Sequence, residues 1–288
     1  MRRIYLAGAV LLPIGVASLA FAGMKEDLAS CTAARGRASA EACTRVMNSG
    51  RLPDEQRYIG HFDRGMAYHH AGEYMRAWVD YNEAIKLHPF ARGYHARAFI
   101  KQDLGAYDGA LADTGRAIAL APSDWYGFYC RALILRDRGD NDGAMADLDR
   151  AHELAPEEKR PKLMRAQILA DAGHVDAARD IINKVIAQGS NDSAGFYARA
   201  AVAFKEGRLD AASDDLARVL ELGQDVGAAH ILLGRVREAR GDTKGAGKHY
   251  RQALAEPDTA LDWRPARRLA RDRLAALEGG AAGADDGK

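Results

Sequence analysis

One glycine recurs along the chain at a nearly constant interval, and no other feature constrains the fold as strongly. Successive copies are separated by 33 residues once and by 34 residues four times. The copies are Gly72, Gly105, Gly139, Gly173, Gly207 and Gly241. A period of this length over six copies predicts that the chain repeats one small unit and stacks the copies side by side.

Other columns keep fixed distances from these glycines. A small residue stands seven positions before each glycine, and an alanine stands five positions after it. A mostly bulky column stands nine positions after it. The small residues are Gly65, Ala98, Ala132, Ala166, Ala200 and Gly234, the alanines are Ala77, Ala110, Ala144, Ala178, Ala212 and Ala246, and the bulky column is Tyr81, Thr114, Leu148, Ile182, Leu216 and Tyr250.

A unit of two antiparallel helices explains each column. The glycine ends the first helix in a left-handed conformation that costs glycine little. The small residues let the two helices approach closely, and the bulky column fills the space between one repeat and the next. Prolines at 89, 122, 156 and 257 end four of the second helices, because proline cannot continue a helix. With a composition rich in alanine, leucine and arginine, we predict an all-α chain.

The spacing small-x6-Gly-x-aromatic-x2-Ala-x3-bulky-x2-Ala-x4-Pro resembles the tetratricopeptide-repeat (TPR) family. The first unit shows it with Gly65, Gly72, Tyr74, Ala77, Tyr81, Ala84 and Pro89. The resemblance covers residues 58–257 and implies a right-handed solenoid of antiparallel helix pairs. The six expected units are approximately 58–90, 91–124, 125–158, 159–192, 193–226 and 227–258.

A stack of repeats exposes an apolar face at each end, so we expect a cap at each end. Residues 259–278 predict a C-terminal capping helix with arginines on its outer side, and residues 279–288 predict a disordered tail. Residues 23–57 predict an N-terminal helical hairpin.

Cys31 and Cys43 would lie on the two helices of this hairpin, and we expect a disulfide between them. Such a bond would stabilise a hairpin too small to be stable alone. A redox role is the alternative, although the chain has no Cys-x-x-Cys sequence. The third cysteine, Cys130, is expected to be a buried thiol on the first helix of repeat three.

The first residues predict export. Arg2 and Arg3 precede an apolar run that ends in Ala-Phe-Ala, so residues 1–22 are interpreted as a signal peptide cleaved after Ala22. Cleavage after Ala20 is an alternative, and so is an uncleaved leader that anchors the chain in the inner membrane. We predict a periplasmic protein.

Charge and motifs exclude several classes of function. Without Arg2 and Arg3 the chain has 39 Lys and Arg against 40 Asp and Glu, a formal charge of −1, which argues against nucleic-acid partners and against anionic membranes. No catalytic, phosphate-binding or calcium-binding motif is present, so we predict no enzyme and no cofactor. His69, His70 and His95 are the nearest approach to a metal site, but adjacent helical histidines point about 100° apart, and we predict no metal.

A second pattern joins arginine to aspartate. An arginine precedes each small position in five repeats, and an aspartate follows it by sixteen residues in four of them. We predict structural ion pairs between the two helices of a repeat or between neighbouring repeats. The pairs are Arg64–Asp80, Arg97–Asp113, Arg131–Asp147 and Arg199–Asp215.

The resemblance also implies where a partner would bind, because TPR proteins hold peptides in the groove lined by their first helices. By position, the residues expected to bind a partner are Phe62, Met66, His69, His70, Arg92, His95, Phe99, Tyr126, Tyr129, Leu133, Arg136, Tyr197 and Phe204. We expect an apolar groove centred on repeats one to three. Chaperone-binding TPR proteins hold an acidic peptide with Lys, Asn and Arg, and Phe62 and Met66 replace two of those positions here. This favours an apolar or aromatic peptide, with Arg92 and Arg136 available for acidic contacts.

We therefore predict a non-catalytic adaptor that binds an unnamed protein or peptide partner in its groove. A structural subunit of an envelope complex, using the convex face or the solenoid ends, is one alternative. An accessory factor of envelope protease, peptidoglycan or cytochrome maturation machinery is another, by family analogy alone. Neither the partner nor the oligomeric state follows from the sequence.

Overall fold

The computed structural model describes residues 22–33, 36–50, 52–189, 193–256 and 264–282. Within these ranges all regular structure is helical. The α-helices are α1 Ala22–Thr32, α2 Gly36–Asn48, α3 Arg57–His70, α4 Tyr74–Leu87, α5 Ala91–Asp103, α6 Tyr107–Leu120, α7 Trp125–Arg138, α8 Asn141–Leu154, α9 Lys159–Asp171, α10 Val175–Gln188, α11 Ser193–Lys205, α12 Leu209–Leu222, α13 Val226–Ala239, α14 Thr243–Ala255 and α15 Arg264–Ala282, and a short 3-10 helix, Asp54–Gln56, precedes α3. Apart from Ala22, the predicted signal peptide lies outside the described residues.

The helices from α3 to α14 form six pairs, and each second helix also contacts the first helix of the next pair. First helices of neighbouring pairs contact each other as well, so α5 touches both α3 and α7. This arrangement stacks the pairs in chain order. The all-α solenoid of antiparallel helix pairs predicted from the sequence is confirmed.

The recurring glycines end the first helices in the conformation predicted for them. All six have positive φ, for example 75° at Gly72 and 90° at Gly139. This left-handed region strongly favours glycine. The period of 33 or 34 residues is therefore the distance between successive turns, each of which has glycine at its left-handed position.

Small and bulky columns match each other in size within each repeat. A Cβ atom added to Gly65 would lie 2.7 Å from Cε1 of the fully buried Tyr81, which is closer than real Cβ contacts allow. Gly234 faces Tyr250 in the same way. The four repeats with threonine, leucine or isoleucine in the bulky column have alanine in the small column. Each repeat thus keeps close packing by changing the two positions together.

The arginine column links three helices. In repeats one, two, three and five, arginine Nε and Nη2 donate to the two carboxylate oxygens of the aspartate sixteen residues later, over 2.6 to 2.8 Å. The pairs are Arg64–Asp80, Arg97–Asp113, Arg131–Asp147 and Arg199–Asp215. Each pair joins the two helices of one repeat. In repeats one, two and five the same guanidinium also donates to the preceding second helix, at Thr44, Asn82 or Asn183.

All four aspartates are buried. Burial by itself raises the pKa of Asp80, but hydrogen bonds from Arg64 and His61 outweigh burial and hold its pKa below the ordinary value. Ion pairs of this kind are bidentate and largely desolvated, so losing one partner would leave a buried charge.

The two ends are covered by helices. At the N-terminus α1 and α2 form a hairpin that packs on α3, and the sulfurs of Cys31 and Cys43 lie at disulfide-bonding distance, with Cα atoms 4.6 Å apart. At the C-terminus α15 packs on α13 and α14. Arg267, expected on the outer side of this helix, instead donates to the carbonyls of Leu254 and Glu256, which belong to the last turn of α14 and the residue after it.

The capping helix runs past its predicted end. We expected residues 259–278 to form the cap and residues 279–288 to be disordered, but α15 continues to Ala282. Glycine in a helix interior costs only about 1 kcal/mol relative to alanine, so the glycines at 279 and 280 weaken the helix without ending it. Residues 257–263 and 283–288 lie outside the described part of the chain.

Candidate partner-binding groove

An open cavity of about 610 Å³ lies along the first helices of repeats three to six. Helices α7, α9, α11 and α13 each contribute side chains to it, and Ala266 of α15 lies at its C-terminal end. Because these helices are neighbours in the stack, the cavity is a stretch of the groove and not a gap within one repeat. Its size is typical of small-molecule and peptide-side-chain pockets.

The cavity is lined by large apolar side chains and by a set of small residues, which we call its floor. Tyr129, Leu133, Leu163, Met164 and Tyr197 form apolar walls. The floor consists of alanine and glycine from repeats four to six, namely Ala170, Ala194, Ala198, Ala201, Gly227 and Ala228. The open space therefore results from short side chains at groove positions.

Four of the thirteen residues predicted to bind a partner line this cavity. They are Tyr129, Leu133, Arg136 and Tyr197. The cavity runs from repeat three to repeat six, whereas we expected a groove centred on repeats one to three.

The predicted residues of repeats one and two are largely engaged within the protein. Phe62, His69, His95 and Phe99 are buried and do not line the cavity, whereas Tyr129 and Leu133 are equally buried and do line it. Phe62 packs edge-on against Phe90, and Phe99 belongs to one core cluster with Leu133 and Met164.

The remaining predicted residues also contact neighbouring side chains. Met66 accepts a hydrogen bond from the hydroxyl of Tyr81, and the guanidinium of Arg92 stacks on Phe62. Arg235 stacks on the ring of Phe204. His70 and Tyr126 are half-buried.

Side-chain size explains why the open space lies in the second half of the groove. The position two residues after the arginine column is Met66, Phe99, Leu133, Gln167, Ala201 and Arg235 in repeats one to six. The position five residues before that column is Ile59, Arg92, Tyr126, Arg160, Ala194 and Ala228. Long side chains stand at both positions in repeats one to four, whereas Ala194, Ala201 and Ala228 of repeats five and six leave the space beside them open.

Three cations surround the cavity. Arg136 contacts the carboxylate of Asp137 at 2.8 Å and Oε1 of Gln167 at 3.3 Å, and Lys205 forms an ion pair with Asp171. Burial lowers the pKa of the Lys205 ammonium, and the nearby charges of Arg235 and Arg136 lower its pKa further.

Arg160 is the third cation in the lining of the cavity. Its guanidinium is 4.6 Å from the Trp125 ring centroid and within 6 Å of the rings of Tyr126 and Tyr129. A cation over three aromatic faces is held in place by their quadrupoles. Asp225 and Glu256 are the carboxylates of the lining, and Asp225 accepts a hydrogen bond from Ser193 at 2.6 Å.

Sequence reasoning missed the contribution of repeat four. Arg160, Leu163 and Gln167 line the cavity, and none of them was among the predicted residues. They occupy the same positions, relative to the arginine column, as Tyr126, Tyr129 and Leu133. Applying one set of positions to every repeat would have found them.

The described residues contain no group of three or more His, Cys, Asp and Glu side chains that could hold a metal ion. None of the helices in the described ranges is long and apolar enough to cross a membrane. The buried His95 has a pKa lowered to about 4, because burial disfavours the imidazolium. It is therefore neutral near pH 7.

Family and structure comparisons agree with the fold of stacked helix pairs. Two models of the tetratricopeptide repeat match the sequence, one over residues 135–202 and the other over residues 197–260. No curated protein matches it.

Three crystal structures illustrate the likeness in fold. A tetratricopeptide-repeat protein from Parabacteroides merdae is 18% identical with a TM-score of 0.65, over 89% of this chain and 99% of that chain. Yeast Tom70 is 14% identical with a TM-score of 0.61, over 94% of this chain and 67% of that chain. PilW, a widely conserved type IV pilus biogenesis factor, is 18% identical with a TM-score of 0.52, over 73% of this chain and 98% of that chain.

Proposed function

Because this chain is a tetratricopeptide-repeat protein, we propose that it is a non-catalytic adaptor that holds a segment of a partner protein in the groove of repeats three to six. The observation that carries this proposal is the 610 Å³ cavity with a floor of alanine and glycine. Such a floor lets a partner backbone or side chain approach the first helices closely. A groove of this kind favours an extended segment or a helix with apolar side chains.

The walls indicate the chemistry of the segment. Tyr129, Leu163 and Tyr197 offer apolar contact, while Arg136 and Lys205 add positive charge to the lining. Since both cations already have carboxylate neighbours, we propose mainly apolar recognition with one or two acidic contacts. Aromatic and arginine side chains at such a site commonly contribute most of the binding energy.

The test is to fill the cavity. Peptides selected by phage display on the wild-type protein would be measured by fluorescence anisotropy against Ala201→Phe, and we expect at least about tenfold weaker binding because the ring takes the place of the segment. Ala217→Phe, on the exposed side of α12 in the same repeat, is the matched control and should bind as wild type does. Equal affinity of both variants would remove the groove from the proposal.

We further propose that the protein acts in the periplasm. The apolar leader in residues 1–22 supports export, and the Cys31–Cys43 pair suits an oxidising compartment. Cell fractionation with mass spectrometry of the purified chain should find it in the periplasm, beginning at residue 23, with these cysteines resistant to alkylation. A chain that retains residues 1–22 would instead support a membrane anchor.

One observation favours a second role, in which the convex face contributes to an envelope complex. Met75 and Val79 on α4 are 63% and 53% exposed. The position of Met75 is aspartate in repeats two to five, at Asp108, Asp142, Asp176 and Asp210. The double variant Met75→Asp, Val79→Asp would lose assembly but keep groove binding under this role. If the double variant kept both assembly and groove binding, this second role would be excluded.

A further inference from the structure

Repeat four departs from the other repeats around its arginine. In repeat three, Arg131 lies between the carboxylate of Asp147, at 2.6 Å, and the ring of Phe128, at 5.7 Å from the centroid. Repeats two and five have the same arrangement, with a tyrosine or phenylalanine ring beside the arginine. In repeat four the two neighbouring positions are Ile181 and Lys162. Both changes make the surroundings of Arg165 more positive.

Without an aspartate in its own repeat, Arg165 pairs with Asp149 on the preceding second helix. The space that an ion pair and a ring occupy elsewhere is open here, and it forms a cavity of about 390 Å³ between α8, α9 and α10. This cavity shares no lining residue with the groove cavity. It is a separate site made by the substitutions in one repeat.

The lining combines an apolar wall with basic groups. Leu148, Pro161, Ile181 and Val185 form the apolar wall. The polar side consists of Lys162, Arg165, Lys184, His152, Gln188 and Asp149. Three permanent cations thus face one carboxylate, and that carboxylate is already paired with Arg165. Within the part of the chain that the structure describes, neither Lys162 nor Lys184 has a carboxylate within 4 Å.

We propose that this cavity binds a small organic anion with one acidic head and an apolar body. The head would lie between Lys162 and Lys184, where the charge is in excess, and the body would lie against Ile181 and Val185. A volume of about 390 Å³ falls in the range of small-molecule sites. The proposal is independent of the groove and of any partner protein.

The test uses two fluorescent probes that differ in one charged group. 8-Anilinonaphthalene-1-sulfonate has the acidic head and the apolar body, and N-phenyl-1-naphthylamine is the same body without the head. In fluorescence titrations, Lys162→Gln and Lys184→Gln should each weaken sulfonate binding about threefold to fivefold, since one exposed charge contact contributes that much. Neither variant should change binding of the neutral probe. Lys244→Gln on α14 is the charge-matched control and should change neither.

A second variant rebuilds the pattern of the other repeats. Lys162→Phe with Ile181→Asp would restore a ring and a carboxylate beside Arg165 and so close the cavity. The part of the sulfonate-probe binding that depends on Lys162 and Lys184 should then be lost. Circular dichroism would show whether the variant keeps its helices, and the single lysine variants test the site if it does not. The proposal is overturned if the lysine variants lose no more affinity than Lys244→Gln, or if both probes lose affinity equally.

Discussion

Phe99 and Ala201 occupy the same position in repeats two and five, yet one is packed in the core and the other lines open space. Phe99 is 7% exposed and packs in the core cluster that contains Leu133 and Met164. Ala201 lies on the floor of the groove cavity. The backbone unit is the same in both repeats, so the difference comes from side-chain volume. The first half of the groove is filled by its own residues, and the second half contains open space.

This comparison separates two uses of one repeat pattern. In repeats one to three the groove positions stabilise the stack, because aromatic and long aliphatic side chains bury each other there. In repeat five both positions are alanine and in repeat six one of them is, so the stack there depends more on the contacts between first and second helices. The volume of the side chain at a groove position therefore decides whether it packs against neighbouring repeats or leaves open space.

The largest effect should come from exchanging these volumes. Phe99→Ala should lower the free energy of unfolding by about 3 to 4 kcal/mol, because it removes a buried ring and leaves a cavity. Ala201→Phe, the opposite change at the equivalent position, should cost less than about 1 kcal/mol because the space is already open. Urea denaturation followed by circular dichroism measures both. Similar losses in the two variants would break the distinction between a filled and an open half.

A slightly smaller effect should separate repeat two from repeat four at the arginine column. Asp113 is buried and contacts both Arg97 and Lys101, so Asp113→Asn should cost about 3 kcal/mol by leaving cations without their carboxylate. Asp149 is exposed beside Arg165, so Asp149→Asn should cost below about 1 kcal/mol. The same denaturation measurement applies. A loss of stability in Asp149→Asn as large as that in Asp113→Asn would contradict the interpretation that the ion pair of Arg165 in repeat four is exposed to solvent.

Close packing between the helices of a repeat should respond next. Gly65→Ala should cost about 2 kcal/mol, because its methyl group would overlap the ring of Tyr81. Adding Tyr81→Leu gives the alanine and leucine combination of repeat three, and the double variant should lose about 1 kcal/mol less than the sum of the single variants. A double-mutant cycle measures this coupling. Additive losses would show that the two positions do not compensate for each other.

Much of the fold follows from the sequence because its strongest constraints are local. A left-handed turn requires glycine at one position, and two packed helices require small residues at fixed distances from it, so period and spacing predict the helix pairs. The interval of sixteen residues indicates the ion pairs for the same reason, since it joins facing positions of one helix pair. The partner of Arg165 breaks this rule because Asp149 precedes it by sixteen residues.

The site was harder to predict because openness depends on several repeats at once. Phe62 and Phe99 are aromatic residues of the type common in binding grooves, but their neighbours across the repeat boundary bury them. Alanines such as Ala194 and Ala228 carry no chemical signal of their own. They define a cavity only when the residues around them are known, and a single column of the sequence does not contain that information.

The smallest expected effect on stability concerns Asp63 of α3, an acidic residue in the filled half of the groove at a position that is buried in other repeats. The same position is Ala96, Cys130, Met164 and Leu232 in four other repeats, and all four are buried. Burial raises the pKa of Asp63 from 3.8 to about 6. A carboxyl whose folded pKa exceeds its unfolded pKa contributes stability below pH 4, and that contribution is lost as the pH rises through about 6.

Asp63→Asn should therefore stabilise the protein by about 1 kcal/mol at pH 8 and by nothing measurable at pH 4. The gain is smaller than the full pKa shift implies because Asp63 is partly exposed to solvent. Asp180→Asn, on the exposed side of α10, should change stability at neither pH. A gain for Asp63→Asn that is equal at both pH values would show that burial of its charge does not limit packing in repeat one.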